Sequence, residues 1–112
     1  MHLKSNNLKT ISSLELKQKL DANVSLYLLD IREPYERALS CIPSIHIPMA
    51  EVSDHAASFP KDQEIIIICR SGRRAEAVAN LLTQDFQMPN VTILAGGLLG
   101  WKLDVDSSLD ID

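Results

Sequence analysis

The stretch Glu64-Ile65-Ile66-Ile67-Ile68 constrains this chain most: four of its five residues are isoleucines, preceded by Lys61-Asp62-Gln63 and followed by a turn at Gly72. β-branched side chains suit an extended backbone, and unbroken apolarity suits a strand covered on both faces, as in a parallel sheet. Beyond the turn, Ala75, Val78, Ala79, Leu82 and Phe86 recur at helical spacing, while Glu76, Asn80, Thr83 and Gln84 fall elsewhere. Cys69 is therefore predicted to stand between the end of a buried strand and the start of a helix.

A helix start directs unpaired backbone N–H groups and the positive end of the helix dipole at whatever precedes it, an arrangement that suits an anion. A thiolate is such an anion, and cationic neighbours favour it further. Arg70, Arg73 and Arg74 follow within the loop Cys69-Arg70-Ser71-Gly72-Arg73-Arg74. Arginines in a first helical turn oppose the dipole by about 0.3–1 kcal/mol each when exposed. Local rules of this kind tend to be broken where function requires it. A bland reading fits the same residues: Cys69 is a small buried side chain closing a strand, and the arginines pair with Asp30, Glu33 or Glu76. The glycine and arginine cluster beside the cysteine favours a reactive thiol.

With 112 residues the chain fits one domain with a single core. Its two cysteines, Cys41 and Cys69, form no Cys-x-x-Cys pair, so neither a zinc site nor a disulfide framework is indicated and a reducing compartment is expected. Residues 1–7 lack the apolar core of a signal peptide and no run is long enough to span a membrane, so a cytoplasmic protein with no membrane partner is expected. A net charge of −4 argues against a nucleic-acid partner. The arginines are a small positive focus on an acidic body, which suits a small anion. His2, His46 and His55 are scattered, so no metal or other cofactor is expected.

Residues 9–11 read as a short strand, and Ser12 or Ser13 can cap a helix bearing Leu14, Leu16 and Leu20. Residues 24–30 form a second strand ending at Asp30, and Pro34 opens a short helical turn. The segment 41–48, punctuated by Pro43 and Pro48, reads as an edge strand or connector, and 49–57 as a helix. Residues 91–94 form a last strand, Gly96-Gly97 a tight turn, and 98–103 a last helix bearing Trp101, read as a core anchor. Strands alternating with helices imply a parallel sheet, whose sites form at the carboxyl ends of strands, where Cys69 and Asp30 both lie. The acidic stretch 105–112 is poor in packing residues. One domain over 8–104 is expected, with 1–7 and 105–112 as mobile ends.

Ordered motifs now carry a resemblance over residues 11–103. Leu29-Asp30-Ile31-Arg32, Glu36, Ile42-Pro43, the loop from Cys69 to Arg74, and Gly96-Gly97-Leu98-Leu99-Gly100-Trp101 resemble, in order, the motifs of single-domain rhodaneses, a sulfurtransferase family. Residues 32–37 and 97–105 are similar to rhodanese domains fused to adenylating enzymes of sulfur-carrier pathways. The resemblance implies a rhodanese-like α/β fold with a central parallel sheet of about five strands and helices on both faces. It also implies that Cys69 takes a sulfane sulfur from a small anionic donor such as thiosulfate, or from a persulfide-bearing protein. Cys69 then yields that sulfur to cyanide, a thiol or a sulfur-carrier protein. The amides of 70–74 would stabilise thiolate and persulfide, and the guanidinium groups would hold the donor. Asp30 and Arg32 read either as groups that fix the loop or as a strand-end salt link.

One departure stands out: the family's Gly-His is replaced by Ser40-Cys41, and the connector that follows is one residue shorter. Cys41 is read as a buried structural thiol, because no catalytic spacing links it to Cys69. Two rival functions remain. A cysteine phosphatase or arsenate reductase would need Cys-x5-Arg, but that arginine position holds Ala75, and Arg74 closes a six-residue loop. A relay or docking module with little turnover of small donors would use the same Cys69.

Overall fold

The computed structural model describes residues 8–111. Five strands, β1 (Lys9–Ile11), β2 (Leu26–Asp30), β3 (Ile45–His46), β4 (Glu64–Ile68) and β5 (Val91–Leu94), form one sheet in the order β1-β5-β4-β2-β3, with every pair parallel. Five α-helices connect and cover them: α1 (Ser13–Asp21), α2 (Pro34–Leu39), α3 (Val52–His55), α4 (Arg73–Asp85) and α5 (Gly97–Asp104). Among the described residues no helix is long and apolar enough to cross a membrane.

The isoleucine run works as a strand buried on both faces because successive side chains alternate across the sheet. Ile65 and Ile67 join Val52 of α3 and Ala75, Val78, Ala79 and Leu82 of α4 in one core. Ile66 and Ile68 join Leu16 of α1 and Leu98 and Trp101 of α5 in the other. Truncating any of these isoleucines to alanine is expected to cost about 2–5 kcal/mol. The α/β architecture with helices on both faces is thus the one the alternation of elements implied.

Several local readings change. The second strand begins at Leu26, not Val24, because Asn23 adopts φ 61° and Val24 N–H turns back to the carbonyl of Lys19. Ser12, rather than Ser13, caps α1: its hydroxyl accepts from the Glu15 amide at 3.1 Å, and its own amide donates to Glu15 Oε1 at 3.0 Å. The helix expected over 49–57 is one α turn, α3, between 3₁₀ turns at Met49–Glu51 and Ala56–Ser58, held by the buried Val52 and Ala56.

The acidic segment after α5 is the largest correction. Leu109 and Ile111, each 9% exposed, pack into the α1–α5 core, and Asp110 N–H donates to Ser40 Oγ at 2.9 Å. Composition concealed this, since the acids of 104–110 flank the apolar positions that turn inward. Where a mobile end is expected over 105–112, residues 105–111 thus pack on the core, and the end expected to be mobile at 1–7 lies outside the described residues.

Candidate active site

Cys69 directly follows β4 and has no exposed surface. The chain then turns through Gly72, the N-cap of α4, at φ 101°, a left-handed conformation that glycine adopts without a Cβ clash. That turn brings the Gly72 amide to 3.0 Å and the Ala75 amide to 3.4 Å from Cys69 Sγ, both donating. The thirteen-residue helix α4 starts at the same point, so the positive end of its dipole lies on the side of the sulfur. Gly72 is one of the amides expected from 70–74. Ala75 lies outside that span, and a side chain without chemistry gave no signal of it.

A second turn braces the first. Leu98 N–H donates to the Cys69 carbonyl at 2.9 Å and Leu99 N–H to the Arg70 carbonyl at 3.0 Å, so the start of α5 holds the loop by its carbonyls. Gly97 lies so close beneath that a Cβ there would stand 2.5 Å from the carbonyl oxygens of both Cys69 and Arg70. With φ 58°, Gly97 is confined to glycine by backbone conformation and by space at once.

The three arginines divide. Arg70 and Arg73 are exposed. Arg74 forms a fork with Glu36 of α2, Nη1 to Oε1 at 2.7 Å and Nη2 to Oε2 at 2.9 Å, and Glu36 Oε1 also accepts the Glu33 amide at 2.9 Å. The Arg74 guanidinium holds the Glu36 carboxyl well below its ordinary 4.5, at about 2, against the opposing effect of burial. The same hydrogen bonds push Arg74 up. Arg74 is thus a strut between the loop and α2. Ser71 is half-buried within the loop.

Asp30 and Arg32 lie at the end of β2, next to β4, and are 1% and 2% exposed. Arg32 donates from Nε and Nη2 to the Asp30 carboxylate at 2.9–3.2 Å, and from Nη2 to the Ser40 carbonyl at 2.8 Å. Arg37, which sequence reasoning did not single out, adds Nη1 to Asp30 Oδ2 at 3.0 Å and holds Ser44 through its hydroxyl and carbonyl. The pair is the strand-end link of the two readings, and it fixes α2 and the connector.

Cys41 is exposed, contrary to the expected buried thiol, because the connector runs over the surface between Ser40 and the buried Ile42. A cleft of about 140 Å³ opens beside the loop, between Arg70, the α2 residues Tyr35, Glu36 and Leu39, and Asp110 with Ile111.

Two amides thus donate to a buried sulfur in a turn between a parallel strand and a helix. Comparison with known proteins agrees with the fold. The profile of the rhodanese-like domain matches residues 12–104, and the chain belongs to that family. YtwF of Bacillus subtilis (strain 168) is 39% identical over 97 residues, covering 85% of this chain and 91% of that protein. A sulfurtransferase of Allochromatium vinosum is 37% identical over 93 residues, covering 81% of this chain and 85% of that protein. The adenylyltransferase and sulfurtransferase MOCS3-1 of Drosophila pseudoobscura pseudoobscura is 32% identical over 105 residues, which cover 87% of this chain and 23% of that larger protein. Among solved structures, a rhodanese-like domain protein from Staphylococcus aureus superposes with a TM-score of 0.76 at 29% identity, covering 94% of this chain and 99% of the other.

Proposed function

We propose that this protein is a sulfurtransferase in which Cys69 carries a sulfane sulfur as a persulfide. The observation that carries the reading is the convergence of the Gly72 and Ala75 amides on Cys69 Sγ within a turn closed after six residues by Arg74. Sulfurtransferases among the relatives of this chain support it.

In the first half-reaction the Cys69 thiolate attacks the outer sulfur of a donor such as thiosulfate. The Cys–S bond forms, the donor S–S bond breaks, and sulfite leaves with its electron pair. In the second, cyanide or a thiolate attacks the terminal sulfur and Cys69 leaves as the thiolate. Charge on the cysteine sulfur is thus greatest before the first step and after the second, where preset amides stabilise it without reorganisation. Arg70 and Arg73 draw the anionic donor toward the loop. Hydrolysis of a phosphate ester would need a wider ring of donors and an arginine at the position that Ala75 fills.

A second reading, transfer from or to a docked protein, is favoured by one feature. Tyr35 and Leu39, one turn apart on α2, are 72% and 50% exposed beside the cleft. The test is steady-state transfer from thiosulfate to cyanide by the purified protein, run beside aryl phosphate hydrolysis and beside transfer from a persulfide-bearing protein. Turnover of thiosulfate without phosphate release is expected. Cys69-dependent phosphate release would overturn the proposal, and transfer from the protein donor alone would replace it with the relay reading.

A further inference from the structure

The 105–111 segment ends on the functional side of the molecule. Two apolar anchors, Leu109 and Ile111, bury it against the core, and the Asp110 amide seats it on Ser40 Oγ at 2.9 Å. Ser40 stands at the C-cap of α2, and its carbonyl receives Arg32 Nη2. The segment is therefore locked to the same helix that holds Arg74 through Glu36. Its last described residues, Asp110 and Ile111, line the 140 Å³ cleft together with Arg70, Tyr35 and Leu39.

From this arrangement we infer that the cleft is the subsite for the organic body of a small thiol acceptor, and that the 105–111 strap is the wall that sets how large that body can be. The inference rests on the sulfur-transfer reading for its substrate, but not for its geometry. A persulfide places its outer sulfur about 2 Å beyond Sγ. With Cys69 enclosed, an acceptor reaching that sulfur must lodge the rest of itself in adjoining space, and the next residue, Arg70, already lines the cleft. Tyr35, Leu39 and Ile111 offer an apolar lining for a short carbon chain, whereas cyanide has no body to place there. Ile111 limits the room because its own anchoring leaves it little freedom to withdraw.

The test compares acceptors of different bulk in the whole protein, with Cys41 replaced by serine so that Cys69 is the reacting thiol. For persulfide transfer, the ratio of kcat/KM for glutathione to that for 2-mercaptoethanol should rise about tenfold in Ile111→Ala, a typical effect of pocket size. A rise of about threefold is expected in Ser40→Ala, which loses the seating hydrogen bond. Ile111→Trp should move the ratio the other way. A parallel measurement needs no sulfur chemistry: the rate of Cys69 alkylation by N-phenylmaleimide relative to iodoacetamide should follow the same order. Altered alkylation ratios without any sulfur transfer would sustain the subsite while removing the transferase. Ratios that stay flat across all three variants, in folded protein by circular dichroism, would overturn the strap's role.

Discussion

The β4–α4 turn and the connector between α2 and β3 each present a cysteine, and they are built in opposite ways. The turn encloses Cys69 and spends its polar groups on it: two amides reach the sulfur, two more from α5 hold the carbonyls, and Arg74 is fastened to Glu36. The connector leaves Cys41 on the surface, and its polar groups brace the backbone, with Arg32 on the Ser40 carbonyl and Arg37 on Ser44. Burial in the first case thus accompanies donors aimed at the sulfur, whereas in the second the neighbouring polar groups are spent on the backbone. The two thiols differ in chemical setting as well as in accessibility.

The contrast breaks most sharply at the thiols themselves. Cys69→Ser should lower sulfur transfer by roughly a thousandfold or more, the scale of losing a nucleophile, while Cys41→Ser should keep most of it. Comparable losses in both would erase the distinction. Next in size is Gly97→Ala, whose new methyl group would meet two carbonyl oxygens at 2.5 Å from a left-handed backbone. Denaturant unfolding should show a loss of about 2–4 kcal/mol, with transfer reduced beyond what the unfolded fraction explains. A neutral outcome would mean that the α5 turn does not press on the loop.

A smaller effect is expected from Glu36→Gln, which replaces one charge-assisted fork by neutral hydrogen bonds. About 1–2 kcal/mol of stability should be lost, read by denaturant unfolding, together with several-fold in transfer, since the loop loses its strut to α2. The pH dependence follows from the same pair. Because the Glu36 carboxyl lies at about 2 when folded, against 4.5 ordinarily, its contribution is fully present above pH 4.5. It declines below that and is gone once the pH has fallen through about 2. The stability difference between wild type and Glu36→Gln should therefore shrink across that window, and a constant difference would show that the ion pair is not its source.

What was legible in the sequence followed from local signals. Glu64–Ile68 stands out because a β-branched apolar run ends at a glycine turn, and Cys69 was placed by that strand and the helical spacing after it. The rest depended on distance along the chain. Arg74 meets Glu36 across 38 positions, and no local pattern chose Glu36 over Asp30, Glu33 or Glu76. Gly96-Gly97 was readable as a turn, but its pressure on Cys69 comes from a carbonyl far upstream. Cys41 was misjudged because free cysteines are usually buried, a preference that a surface connector overrides. Leu109 and Ile111 were hidden by the acids around them.

The measurement closest to the central claim is where the sulfur resides. After incubation with thiosulfate and removal of free donor, the intact protein should gain the mass of one sulfur atom. Peptide mapping should place that sulfur on Cys69, and cyanide should remove it with release of thiocyanate. Sulfur found on Cys41, or loading that persists in Cys69→Ser, would contradict the account.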